Sequence, residues 1–375
     1  MKRHTFLYGF SIFSMFFGSG NLVFPLMVGV NNSDNWIASF LGFFLTGIIL
    51  PFLGLFVIKL HKGNYTSFFS EAGSVAKFAI PLFTLSLLGA FGVIPRCIAV
   101  AHGGLEFLSY DISLLTFSII FCTACFAICL NDKLMFSIMG KFLTPILLLF
   151  LIILIIVGFY HGQALETNSD SFNNNFVDGF FRGYATMDLF ASFFFSSLIF
   201  KQIEKLVDET KGESVLKAAL GPSIFGASLL CAVYLGFVYL GSHYKFLAND
   251  LPGELILPAI ANHLLGTHGA LVIAIIIIFS CLTTAVALNS IYARYLCTFK
   301  IIGKKNFPII LFITTIIALI ISLLDFDGIA ALLGPLLDIS YPGLIVLTIL
   351  SICTKRFKLL KMLSFYGIIA LMLVL

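Results

Sequence analysis

The sequence predicts an all-α polytopic membrane protein that crosses the bilayer about eleven times. Three observations predict it. The chain is 60% hydrophobic and 11% charged, with a mean hydropathy of +1.08, whereas a soluble domain carries about 25% charged residues. Such a surface needs lipid as its solvent. Apolar runs of roughly 20 residues, the length a helix needs to cross hydrocarbon, recur along the whole chain. Treating those runs as spans also sorts the basic residues by side, as positive-inside bias demands.

The spans fall near 5–30, 36–59, 75–108, 113–130, 134–160, 176–200, 214–242, 267–297, 307–324, 328–353 and 359–375, with a short helix in the loop around Glu254 to Leu265. The first run follows Met1-Lys2-Arg3, like the apolar core of a signal peptide. It lacks a small-x-small cleavage site and continues through a glycine break, so it reads as a retained span. With the N-terminus in the cytoplasm and the sides alternating, all but three of the 22 Lys and Arg lie at cytoplasmic ends, among them Lys133, Lys141, Lys211, Lys300, Lys355 and Arg356. The exceptions are Arg96, Arg182 and Lys245. The opposite loops carry acids instead: Asp34, Asp111, Glu166, Asp170, Asp250, Glu254, Asp325 and Asp327. One miscounted span would scramble every later loop, so the separation supports eleven and puts the C-terminus outside.

Two spans are interrupted. Span one contains Phe17-Gly18-Ser19-Gly20-Asn21, followed by Pro25. Glycine weakens a helix by about 1 kcal/mol per residue. The interruption reads either as close helix packing on small residues or as an unwound segment whose N–H groups face a cavity. Span six contains Arg182-Gly183-Tyr184-Ala185-Thr186-Met187-Asp188, which puts charges at membrane depth. These face a cavity, or they form a structural Arg182–Asp188 pair. The second break lies five spans after the first, and five is odd, so the two halves start on opposite sides of the membrane. That is an inverted-topology repeat, and matched interruptions in its halves point to a transport site. The halves cover 1–160 and 176–353, with an added helix at 354–375. Broken-helix N–H groups suit a carboxylate, and their carbonyls suit an ammonium or Na⁺.

Span eight holds Ser280-Cys281-Leu282-Thr283-Thr284. These hydroxyls either bond back to the preceding turn or give oxygen ligands to Na⁺. Asp338, beside Ser340-Tyr341-Pro342, and Arg96, after Pro95, are further candidates for buried polar groups. Other functions find less support. Cys122, Cys125 and Cys129 share a helix face inside an apolar run, where thiols act as small hydrophobes rather than metal ligands. No disulfide framework or cofactor is implied. The formal charge of +4 is spread over short loops and is no nucleic-acid signal. The seven histidines lie mostly in loops or near span ends, so the converging set an intramembrane enzyme needs is missing. A channel favours rings from an oligomer over one asymmetric pair of breaks.

At these residues the chain resembles the branched-chain amino-acid:cation symporter family (branched-chain amino acid carrier family II). The resemblance rests on Phe16-Phe17-Gly18-Ser19-Gly20-Asn21-Leu22-Val23-Phe24-Pro25-Leu26-Met27-Val28-Gly29, Gly183-Tyr184-Ala185-Thr186-Met187-Asp188, Cys281-Leu282-Thr283-Thr284-Ala285-Val286 and Tyr341-Pro342. It runs through spans one to ten in order. It implies a LeuT-type five-plus-five inverted repeat in the cell inner membrane, importing leucine, isoleucine and valine with Na⁺ or H⁺. By motif, the Ser19 and Gly20 amides would hold the substrate carboxylate, and carbonyls of Phe16, Tyr184, Ala185 and Thr186 its ammonium. Gly18, Asn21 and Asp188 would complete the substrate site. Carbonyls of Ser14, Phe17 and Ser280 with the hydroxyls of Thr283 and Thr284 would hold Na⁺. The family usually has one further C-terminal helix than the eleven counted here. The core repeat is complete, and the departure bears on dimerisation or membrane assembly.

Overall fold

A computed structural model describes residues 2–108, 112–131, 143–163, 171–209, 215–248, 251–299, 303–354 and 357–374. The start of the fifth span lies outside the described residues, as do Lys133, Lys141, Lys211, Lys300, Lys355, Arg356, Asp111, Glu166, Asp170 and Asp250. Among those described, every regular element is helical. Span one is α1 (Lys2–Phe16) and α2 (Ser19–Asn31), bent by 75° where they meet. Span two is α3 (Trp36–Leu60), with one π-helical turn at Leu45–Ile49. A short α4 (Tyr65–Phe69) follows, capped by Asn64, whose Oδ1 accepts the Thr66 and Ser67 N–H groups.

Span three departs from the expected continuous helix. It divides into α5 (Ala76–Leu88) and α6 (Val93–Glu106) across Gly89-Ala90-Phe91-Gly92. The two glycines leave the helical region, and Pro95 then sits in the first turn of α6, where its missing N–H costs nothing. Arg96 follows in that same turn. Next come α7 (Leu114–Cys129) and α8 (Leu143–Tyr160). Span six is α9 (Phe172–Tyr184) and α10 (Asp188–Glu209). It begins earlier than its apolar run because Ser171 caps the polar first turn, accepting the Asn174 N–H. The remainder is α11 (Val215–His243), α12 (Gly253–Leu296), α13 (Phe307–Ser322), α14 (Asp325–Cys353) and α15 (Lys358–Val374). Gly266, at φ 68°, bends α12 and separates the expected loop helix from span eight.

The broken spans sit at the centre and pack reciprocally. Span one lies along α11, the second helix of the other half, and span six lies along α3, the second helix of its own opposite half. The two contacts are built alike. A Cβ on Gly29 of α2 would come within 2.7 Å of the Ser242 nitrogen on α11, and one on Gly42 of α3 within 2.7 Å of the Phe180 nitrogen on α9. Gly241 and Gly179 press back on Leu26 and Ser39 in the same way. Small residues let backbones touch where lipid gives no hydrophobic drive for association.

Outer faces are apolar, including Ile120, Leu149, Ile320 and Leu363, each more than half exposed. That surface suits hydrocarbon. Among the described residues, five stretches are long and apolar enough to span (α3, α5 with α6, α11, α12 and α14), a sixth is the bent first pair, and α7, α8 and α13 are shorter apolar helices. The remaining positions of the eleven are α9 with α10, and α15. The α15 helix is fastened by buried Lys361, whose Nζ donates to Glu71 at 3.1 Å, with the His61 ring 3.8 Å from the same carboxylate. All three residues belong to the side assigned to the cytoplasm.

Candidate functional site

The first break is unwound, not merely tightly packed. Gly18 is extended (φ −121°, ψ −162°), and α2 starts afresh at Ser19. In a continuing helix the Gly18 N–H would reach back four residues; it instead donates to Asn21 Oδ1 at 3.0 Å. One side chain thereby caps the new helix. Pro25 has no N–H for the Asn21 carbonyl, which loosens the next turn as well.

The second break turns at Met187, a non-glycine residue at φ 62°. Such a backbone is held only where its surroundings over-determine it. Here the Met187 N–H bonds the Tyr184 carbonyl at 2.9 Å. The Thr186 hydroxyl donates to the Gly183 carbonyl at 2.9 Å and accepts the Asp188 N–H at 3.4 Å. Asp188 therefore opens α10, where a carboxylate gains from the helix dipole.

The breaks meet. Asn21 Nδ2 donates to Asp188 Oδ2 at 2.6 Å and also to the Tyr234 hydroxyl of α11. Tyr234 in turn donates to the same carboxylate oxygen at 3.5 Å. From the other side comes Arg96. Its Nη1 donates to the Ala185 carbonyl at 2.5 Å, its Nη2 to Thr186 O at 3.4 Å, and its Nε to Ser19 Oγ at 3.4 Å. Its guanidinium also lies 5.1 Å from the centre of the Phe24 ring. Between these groups is a cavity of about 20 Å³, lined by Gly18 to Asn21, Arg96 and Thr186 to Asp188. That is room for about one water. An amino acid enters only if the half-helices part. A larger groove of 620 Å³ runs between α3 and α11, but its walls are Phe44, Phe52, Phe56, Ile224 and similar side chains. It has no charged anchor.

Four of the five residues expected to hold Na⁺ lie together at the first break. Ser280 Oγ donates to the Phe17 carbonyl at 3.2 Å, joining α12 to the first break. Thr283 bonds back to the Ser280 carbonyl at 2.9 Å, as hydroxyls in helices often do. Thr284 does not: its Oγ1 is buried with no partner among the described residues. A buried hydroxyl without a partner is destabilising. A Cβ on Gly18 would lie only 3.2 Å from that oxygen. The donors are all hard oxygens, the set an alkali cation takes, so the residues fit Na⁺. Ser14 lies in the last turn of α1, just before the break.

Several expectations change. Arg182 is not the partner of Asp188; it pairs with both oxygens of Asp178 at 3.1 and 2.9 Å, one helical turn away, and Asn32 joins that carboxylate at 2.7 Å. Asp338 is not buried. It is exposed on α14, because Leu337 and Tyr341 hold the inward face and the next residue is turned about 100° from it. Tyr341 is the inward group, accepting the Leu189 N–H at 3.3 Å and stacking on Tyr184 at 4.6 Å. Tyr234 carries no sequence signal of its own, being one of five hydroxyl side chains in α11, with Ser223, Ser228, Tyr239 and Ser242. Phe16, Tyr184 and Ala185 are beside the breaks as expected, but the Ala185 and Thr186 carbonyls are taken by Arg96 in this conformation.

Residues 1–375 match the family described as branched-chain amino acid transport protein. A Staphylococcus saprophyticus protein that carries the name branched-chain amino acid carrier protein is 29% identical over 375 residues, covering 95% of this chain and 83% of that one. A Staphylococcus aureus protein of the same name is 28% identical over 374 residues with the same coverage. Among solved structures, the outward-open, substrate-bound state of a Na⁺-coupled sialic acid symporter matches 98% of this chain and 88% of its own, with a TM-score of 0.61 and 12% identity. A nucleobase-cation-symport-1 family transporter in a closed conformation matches 97% and 91%, with a TM-score of 0.53 and 14% identity. At such identities the likeness shows the fold: a LeuT-type helical repeat.

Proposed function

We propose that this chain, which belongs to the branched-chain amino acid transport protein family, imports leucine, isoleucine and valine by symport with Na⁺ or H⁺. It is a multi-pass membrane transporter, not an enzyme. The observation that carries the substrate reading is the meeting of two interrupted helices over one buried cavity. A zwitterion at membrane depth needs donors for one end and acceptors for the other. The amides of Ser19 and Gly20 serve the carboxylate; Phe16, the carbonyls of Tyr184 to Thr186 and Asp188 serve the ammonium. Gly18 and Asn21 shape the turn between them. Phe195, Ala191 and Leu88 line the same cavity and accept an aliphatic side chain. A branched hydrocarbon gains about 0.8 kcal/mol for each CH₂ it buries.

Na⁺ would be held by the Ser14, Phe17 and Ser280 carbonyls and the Thr283 and Thr284 hydroxyls. A cation there supplies positive charge that ties α1 to α12. The unpartnered Thr284 oxygen supports Na⁺ over H⁺ as the coupling ion. The family supports a cell inner membrane location, and the loop charges support a cytoplasmic N-terminus. The two transport halves are 1–160 and 176–353.

Purified protein in liposomes is the test. Leucine uptake should appear under an inward Na⁺ or proton gradient and be competed by isoleucine and valine. No leucine uptake under either gradient overturns the reading. Replacing Thr283 and Thr284 together by Ala should abolish Na⁺ stimulation. Stimulation that persists moves the coupling to protons or to another site.

A further inference from the structure

We infer that Arg96 and Asp188 form a matched pair of charges that receives the two ends of the substrate zwitterion, the guanidinium taking the carboxylate and the Asp188 carboxylate taking the ammonium. This rests on the amino-acid reading above and sharpens it from backbone recognition to charge recognition.

Both residues are buried and line the same small cavity. Yet they make no ion pair with each other among the described residues. Each is held apart by neutral partners. Arg96 spends three of its five N–H donors on the Ser19 hydroxyl and the Ala185 and Thr186 carbonyls. Asp188 receives Asn21 and Tyr234 on Oδ2, both neutral groups. Among the described residues, two guanidinium N–H groups therefore make no hydrogen bond, and the Asp188 carboxylate is met by no cation at bonding distance. Opposite charges buried so close would ordinarily pair, because a lone charge at membrane depth is expensive. A molecule with both charges on one carbon completes both at once.

The positions agree with that assignment. Arg96 reaches the residues expected at the carboxylate end, its Nε donating to Ser19 Oγ. A Cβ on Gly20 would approach its Nη2 to 2.7 Å, so the guanidinium rests against the glycine whose amide is expected to bind the carboxylate. Holding the Ala185 and Thr186 carbonyls, Arg96 also takes two of the acceptors expected for the ammonium. Asp188, on the wall of the same cavity, is the charged acceptor that remains. A zwitterion adds no net charge to this pair, whereas an amine or a carboxylate alone adds one. The site so built selects α-amino acids over either fragment.

The test measures binding to the full-length protein in detergent, with leucine, 4-methylpentanoate (no ammonium) and 3-methylbutylamine (no carboxylate). Arg96→Gln should weaken leucine about 10- to 100-fold, the range for losing a charged hydrogen bond. It should also end competition by 4-methylpentanoate and leave 3-methylbutylamine binding at least as tight, because the Ala185 and Thr186 carbonyls are released. Asp188→Asn should do the reverse. Arg96→Lys, which keeps the charge but not the fork, should restore part of the leucine affinity. Unchanged or tighter leucine binding by Arg96→Gln overturns the inference, as does equal weakening of both fragments by both variants. If Arg96→Gln binds none of the three, Arg96→Lys decides: recovered leucine binding upholds the role and no recovery overturns it. Wild-type protein that binds no leucine overturns the parent reading instead.

Discussion

At the first break the chain turns through Gly18, presents amide N–H groups, and is crowded by other helices on both sides. At the second it turns through Met187 at φ 62°, presents carbonyls, and is held by its own Thr186 hydroxyl. Glycine at the first break answers to space more than to torsion, since φ −121° at Gly18 is open to any residue. Arg96 and Thr284 press where a side chain would go. The second break is crowded at Gly183, where a Cβ would come within 2.9 Å of the Thr46 side chain, but the residues after it carry side chains and place a carboxylate where the first break has only dipoles. One interruption is a passive surface that others approach, and the other carries its own chemistry.

Substitutions can break that contrast. Gly20→Ala should have the largest effect, because the new methyl meets Arg96 Nη2 at 2.7 Å and the Thr186 backbone at 3.2 Å. Leucine uptake should fall to the level of empty liposomes while the protein remains monodisperse; normal uptake would show that the crowding is unimportant. Asn21→Ala comes next. It removes the bond that Asn21 Oδ1 accepts from the Gly18 N–H, worth about 1 kcal/mol, and a bond to a buried carboxylate, worth about 1.5–3 kcal/mol. The matching change at the second break, Thr186→Val, loses neutral bonds worth about 1 kcal/mol. Thermal unfolding should therefore shift clearly more for Asn21→Ala, and equal shifts would refute the asymmetry.

Thr284→Val should have a smaller effect with a telling sign. Without Na⁺ it removes an unpartnered buried hydroxyl, so the melting temperature should hold or rise. With Na⁺, the stabilisation that wild type gains should be lost. A fall in Na⁺-free stability would mean that the hydroxyl already has a partner. Gly18→Ala should be mildest. Its methyl needs only a few tenths of an ångström from the Thr284 side chain, 3.0 Å away, so the Na⁺ concentration for half-maximal uptake should rise severalfold while the maximum rate is kept.

Much of this architecture is legible in the chain. Apolar runs mark the spans, and the glycine and charged interruptions mark the breaks, because lipid tolerates them only where a cavity or neighbour satisfies the backbone. Harder to read is azimuth. Asp338 and Tyr341 are three residues apart in one apolar run, and nothing in that run says which faces inward. Arg96 shows the same gap: its rarity marks it, but its reach to Ala185 across the bundle comes from the kink at Gly89 to Gly92, which passes for ordinary small-residue packing in the sequence. Tyr234 was hidden in the same way.

The paired glycine seams, Gly29 with Gly241 and Gly42 with Gly179, have a mechanical meaning. Backbones in direct contact leave no compressible side chains between them, so each seam acts as a stiff hinge pin. Because each seam joins a broken helix to a helix of the opposite half, neither half can tilt without dragging the other. Such a linkage has one lever with two ends: opening toward one aqueous face and shutting toward the other become the same movement.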